Sequence, residues 1–381
     1  MPPLSRPPRE TRALFRSPGA ALPTRHAALL ERCVERRLRG PAQVLSGHHN
    51  TNHVLRLGLL PAVLVGAVPF ARLKYRVPRE TVEVVPRIWP REWDVLRVVC
   101  RFLPEVPRCL AVLGDNHSLH VYRGGTVLSD RGPHGRIGEG LMRQFAAFFA
   151  RTAGIPAGEL PPLPEDWPAD GDSDGFLRRL VRFTEERVHR PHRPRFGTLF
   201  DAVGIPEDAM ARFLRGLHPL TPRPFALLHT DVHRANVVVR RNRIAVIDWE
   251  LALFGDPLHD LATHLVRMGY DKEEQARMTA LWAEAMTRAG RAELTAALHD
   301  DLGAYLAFEY AQSVYPDVLR AALALPPHAT ADDFHAAAHR IGHALSRARE
   351  PLRLVDVPPE PHLIDALRDW HDAQNNPATP R

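Results

Sequence analysis

The period of the hydrophobic positions changes near residue 125. From Thr24, a candidate helix cap, "RHAALLERCVERRL" carries apolar residues at helical spacing and stops at Gly40-Pro41. Three short apolar runs follow, "AQVLSG", "NHVLRLGLL" and "AVPFARLKY", each of strand length. "REWDVLRVVCRFL" returns to the helical period, with Trp93, Leu96, Val99 and Leu103 on one stripe and Pro104 ending it. "RCLAVLG" and "SLHVYRG" predict a hairpin about Asp115-Asn116.

After Gly124-Gly125 the pattern predicts helices over 137–153, 174–189 and 206–217, separated by Pro-rich connections such as "PPLPEDWP" and "HRPHRPR". A compact hairpin, "FALLH" then "NVVVRRNRIAVID", interrupts them, and 257–350 is helical again. The chain therefore divides into a Pro/Arg-rich arm (1–23), a strand-rich unit with one main helix (24–123), a helical unit (124–350) and a Pro-rich tail (351–381). No internal repeat is visible, and the fold class is α+β.

Composition narrows the partners. With 45% hydrophobic and 25% charged residues, the 381-residue chain is an ordinary globular sequence. The net charge of +6 permits contact with anions. The arginines are interleaved with acids rather than gathered beside stacking aromatics, so no nucleic-acid partner is expected. Three cysteines, no apolar leader region and no run of membrane-spanning length lead to the expectation of a cytoplasmic protein without a membrane partner. Of the 50 Lys plus Arg, only Lys74 and Lys272 are lysine. Lys272 opens a polar helix, whereas Lys74 interrupts an apolar, strand-like run.

The chemistry is concentrated in "LLHTDVHRANVVVRRNRIAVIDWELALFGDPLHDLA", residues 227 to 262. Two apolar strands each deliver a carboxylate at a strand end, Asp231 and Asp248, and Asn236 lies between them. A carboxylate able to accept a proton, with an amide and a second carboxylate offering hard oxygens, suits Mg-dependent phosphoryl transfer. Each residue alone has a plainer explanation as a turn or cap. His229 and His233, four apart, lack a third metal ligand and read as loop support. The combination D-x-H-x-x-N, hairpin, I-D-W is what makes the signal specific.

This segment resembles the catalytic core of the aminoglycoside phosphotransferase and choline kinase family, relatives of protein kinases. The resemblance implies a protein-kinase-like two-lobed fold, with a small β-rich N-lobe and a larger helical C-lobe. It implies that Asp231 is the catalytic base, that Asn236 and Asp248 hold Mg2+, and that Asp260 in "GDPLHDLA" braces the loop. It further implies that Lys74 grips the ATP phosphates and pairs with Glu92, eighteen residues on. Glu92 alone equally suits a first-turn acid favoured by the helix dipole. Gly47 in the Gly-poor "LSGHHNTNHVL" would belong to the phosphate loop, and Val121 and Tyr122 would offer backbone groups to adenine. Thr230 stands where the family usually has Gly, so this loop is expected to avoid positive φ.

For the acceptor, "DDLGAYLAFEYAQSVYPDVLRAA" places Tyr305, Phe308 and Glu309 on one helix face, and Glu250 follows the metal-side aspartate. Aromatics beside an acid suit a cationic or sugar-like ligand, but the same stripe suits helix packing. The resulting expectation is an ATP- and Mg-dependent phosphotransferase for a hydroxylated small molecule such as an antibiotic. A choline, ethanolamine or sugar kinase and a nucleotide-binding pseudokinase are the alternatives. The oligomeric state is not legible in the sequence.

Overall fold

The computed structural model describes residues 24–40, 43–46, 50–78, 85–114, 116–132 and 135–375, so Gly47 and Asp115 lie outside the described residues. The N-terminal half is a five-stranded antiparallel sheet. It comprises β1 (Gln43–Ser46), β2 (Asn50–Arg56), β3 (Arg72–Pro78), β4 (Cys109–Leu113) and β5 (His117–Val121), in the order β1-β2-β3-β5-β4. The helix α1 (Thr24–Leu38) packs on it through Leu30 and Val34. On β3 the side chains alternate as a pleated strand requires. Leu73 and Tyr75 enter the core with Leu55 and Leu119, which turns Lys74 and Arg76 together to the opposite face.

Two short helices interrupt the strands. α3 (Glu92–Phe102) follows the predicted stripe, burying Trp93, Leu96 and Val99 and ending before Pro104. α2 (Leu59–Leu64) takes up the last two residues of the second apolar run, whose first five lie in β2 as expected. Its Pro61 falls in the first turn, where no helical hydrogen bond is lost, and Leu59, Leu60 and Val63 remain exposed. Strand β3 likewise starts later than the third run suggests, because Phe70 turns the chain with φ 62°.

The C-terminal half holds two small sheets within a helical body. β6 (Thr126–Val127), β8 (Val237–Arg240) and β9 (Arg243–Val246) form one, and β7 (Ala226–Leu228) pairs with β10 (Leu253–Gly255) in the other. Around them lie α4 (Glu139–Thr152), α5 (Ser173–Phe183), α6 (Arg190–Ala202), α7 (Ala209–Gly216), α8 (Pro257–Arg267), α9 (Lys272–Arg288), α10 (Leu298–Leu323) and α11 (Ala331–Ala348). "HRPHRPR", expected to be a connection, is helical: a π-helical turn over Thr184–His189 joins α5 to α6. Pro191 falls in the first turn of α6, and the π-turn re-phases the backbone ahead of Pro194.

The C-terminal residues add one more helix. α12 (Glu360–Asn375) buries Leu363, Ile364 and Leu367, and Trp370 stacks on Phe196 at 5.0 Å while donating to the Arg195 carbonyl at 3.0 Å. Among the described residues no helix is long and apolar enough to cross a membrane.

Candidate active site

Pairing of Leu228 with Leu253 sets the loop after β7 beside the loop that enters β10. The first loop is held by its backbone. Asp260, buried in the first turn of α8, accepts the N–H of His229 at 2.9 Å and of Thr230 at 2.8 Å. Burial pushes the Asp260 carboxyl up to about 7 despite those two bonds. Thr230 is left-handed, with φ 60°, contrary to the expectation from its side chain. That conformation costs a branched residue roughly 1–2 kcal/mol. The Asp260 contact and a 2.6 Å bond from Thr230 Oγ1 to the Leu251 carbonyl hold it in place.

The histidines serve the same loop. His229 is fully buried against Trp249, ring centroids 4.6 Å apart, and burial lowers its pKa to about 4. The neutral ring donates from Nε2 to the Ile247 carbonyl at 3.2 Å and accepts the Asp231 N–H at Nδ1, 3.3 Å away. His233 Nδ1 accepts the Ala235 N–H, capping the turn that carries Asn236.

Asp231 lies at the centre of this loop and lines a cleft of about 1130 Å³. Burial disfavours its charge, but Arg267 at the end of α8, with His233, outweighs burial and holds the carboxyl below the usual range. Arg267 Nη1 donates to Oδ1, and Asn236 Nδ2 donates to Oδ2 at 2.8 Å. With its Nδ2 committed to Asp231, Asn236 has its carbonyl oxygen available to a cation. Asp248, also left-handed at φ 70°, lines the same cleft. One amide oxygen and one carboxylate fit Mg2+, which takes few protein ligands and completes its shell with water and phosphate.

The second loop is held from the other lobe, and here the structure corrects the sequence reading. Glu92 pairs with Arg76 rather than Lys74, and its Oε1 accepts the Trp249 N–H at 2.9 Å. Arg76 Nη2 also lies 2.6 Å from Glu250 Oε2 and 3.4 Å from Asp248 Oδ1. One guanidinium thus ties β3 to α3 and to the loop that carries Asp248, a use suited to its forked donors. Period-two alternation was the available signal, since Lys74 and Arg76 share a strand face. Lys74 lines the cleft, and burial, followed by repulsion from Arg76, lowers its amine to about 8.

Other expected site residues are placed differently. Glu250 is an interlobe strut that accepts from Arg76 and from Asn50 Nδ2 at 3.2 Å, with Arg87 3.3 Å away. Tyr305 is fully buried and donates to Asp256 at 2.9 Å, beside the buried Asp256–Arg223–Asp301 cluster. It belongs to the core rather than to the cleft. Glu309 does line the cleft, within 3.7 Å of Arg267 Nε. Val121 and Tyr122 line it as well, but their N–H groups are spent on the Arg108 and Arg72 carbonyls, at 2.9 and 3.4 Å. Neither N–H is free to meet a base edge. Gly47 lies outside the described residues.

Residues 61–297 match the profile described as "Phosphotransferase enzyme family". A protein assigned as an aminoglycoside phosphotransferase from Ralstonia eutropha JMP134 is similar in structure, with a TM-score of 0.52, 16% identity and coverage of 90% of this chain and 98% of that one. A choline kinase from Cryptosporidium parvum Iowa II gives a TM-score of 0.50 and 12% identity over 90% of this chain and 99% of that one. The two likenesses establish a protein-kinase-like fold. None of the curated proteins matches the sequence significantly.

Proposed function

The chain belongs to the phosphotransferase enzyme family, and on that premise we propose that it transfers the γ-phosphate of ATP to a hydroxyl of a small molecule. The convergence of Asp231, Asn236, Asp248 and Lys74 on one interlobe cleft carries this reading.

Asp231 accepts a hydrogen bond from the acceptor hydroxyl and orients its oxygen toward the γ-phosphorus. As the new P–O bond forms, the bond to the β,γ-bridging oxygen breaks, ADP leaves with that electron pair, and the hydroxyl proton passes to Asp231. A carboxyl held below its usual range is a weak base. It suits a loose transition state in which positioning matters more than early proton removal. Arg267 and Asn236 fix the Asp231 oxygens, and Lys74 supplies a cation to the nucleotide phosphates. Mg2+, held by Asn236 and Asp248, would supply neutralisation of phosphate charge.

Asp231→Ala should lower kcat at least about a thousandfold, within the range for losing a positioned base, while nucleotide binding by calorimetry is retained. Near-normal turnover of that variant would overturn the role of Asp231. Tight nucleotide binding by the wild-type protein with no transfer to any acceptor would mark a regulatory nucleotide-binding module instead.

A further inference from the structure

Beyond Asp231 the cleft runs along one face of α10, where Glu309, Gln312, Ser313, Asp317 and Arg320 follow at helical spacing, and Arg347 of α11 faces them. Both acids of this stripe are already matched by the protein's own cations. Glu309 is buried, with Arg267 Nε 3.7 Å and Gln312 Nε2 3.3 Å away. Asp317 has Arg320 Nη1 at 3.9 Å, with Arg347, His343 and Arg267 also acting on its carboxyl.

The arginines are differently placed. Among the described residues, Arg347 donates no side-chain hydrogen bond to the protein, Arg320 meets Asp317 only at 3.9 Å, beyond hydrogen-bond reach, and both arginines are exposed at the cleft. Arg347 lies over the Tyr310 ring at 4.3 Å, which holds the guanidinium in place. Tyr305 and Phe308, the other aromatics of the stripe, are in the core. Along this stripe an ammonium-bearing acceptor would meet two exposed arginines, with each acid already beside a cation of the protein. A carboxylate or phosphate would meet two guanidinium forks built for planar oxyanions.

We propose that the acceptor is a hydroxylated small molecule that also carries an anionic group, a carboxylate or a phosphate, received by Arg320 and Arg347. This inference rests on the proposed phosphotransfer at the same cleft. It sets the protein apart from enzymes that select polycationic or quaternary-ammonium acceptors.

The test uses the full-length protein with MgATP, following ADP release with three acceptor groups. These are hydroxylated carboxylates (glycerate, gluconate, homoserine), sugar phosphates, and cations (kanamycin, hygromycin B, choline). Binding of each compound to the protein loaded with a non-hydrolysable ATP analogue is measured alongside. Turnover is expected with an anionic member, and the two anionic arms separate a carboxylate from a phosphate requirement. The double variant R320E/R347E should raise KM for that acceptor by about tenfold or more, as expected for losing charge-assisted hydrogen bonds, with KM for ATP unchanged. The milder Arg320→Gln and Arg347→Gln give smaller increases in the same direction. Turnover confined to the cations, an anionic KM indifferent to charge reversal, or no binding of any anionic member overturns the inference. Each of those results leaves the phosphotransfer reading standing, whereas failure to bind the ATP analogue defeats that reading itself.

Discussion

The two loops that bear the site carboxylates are fixed by different means. The Asp231 loop is held within its own lobe by backbone N–H groups donated to Asp260, with a neutral His229 tucked beneath. The Asp248 loop is held from across the cleft by Arg76, through Glu92 and Glu250. The first is a local hydrogen-bonded scaffold whose geometry does not depend on how the lobes meet. The second exists only while β3 and α3 are apposed to the C-lobe. The Asp231 carboxylate is thus preset, and the Asp248 carboxylate is conditional on lobe geometry.

The sharpest break in this comparison is at Arg76. Arg76→Met leaves Glu92 and Glu250 buried without their main cation and should cost about 3–5 kcal/mol, read from the denaturation midpoint. Displacing the Asp248 loop by even an ångström should lower kcat about a hundredfold. Arg76→Lys should recover part of each loss, because one ammonium cannot bridge three carboxylates. A stable, fully active Arg76→Met variant would remove the interlobe half of the comparison.

On the other side, Asp260→Asn replaces one acceptor oxygen with a donor facing a backbone N–H. It should destabilise by about 1–3 kcal/mol in chemical denaturation. A variant as stable as the wild type would remove the local half of the comparison.

Lys74 gives the smallest expected effect. Its folded pKa, about 8, lies below the ordinary lysine value of about 10.4, so the unfolded chain keeps a proton that the folded one releases. Burying the charged amine therefore costs stability below about pH 8, and that cost is relieved as pH rises toward 10.4. The charged fraction falls about tenfold between pH 7 and 9, and KM for ATP should rise over that interval in the wild type but not in Lys74→Gln. A flat wild-type profile would take Lys74 out of phosphate binding.

Much of this was legible in the chain because it is local. The D-x-H-x-x-N loop, the hairpin and I-D-W lie within forty residues, and period-two or helical spacing places their elements. The long-range choices were not legible. Lys74 and Arg76 occupy one strand face, and nothing in their spacing to Glu92 says which reaches it. Lysine is the rarer cation in this chain, but the forked guanidinium, able to serve several carboxylates, makes the contact. The steric preference of Thr230 disfavours positive φ, but bonds to Asp260 and Leu251, 30 and 21 residues away, override it. Tyr305 and Glu309 share a helix face in sequence, and only the packing of Asp256 and Arg223 decides that Tyr305 faces inward.

The lowered amine of Lys74 has a practical consequence for labelling. At pH 8 about half of the Lys74 side chains are neutral and nucleophilic, against well under one in a hundred for a lysine at its ordinary pKa. The chain has only one other lysine, Lys272, at the solvent-facing start of α9. An amine-reactive reporter applied briefly near pH 8 should therefore divide between the α-amino group and Lys74. Mass spectrometry would then read nucleotide occupancy of the cleft as protection of a single peptide.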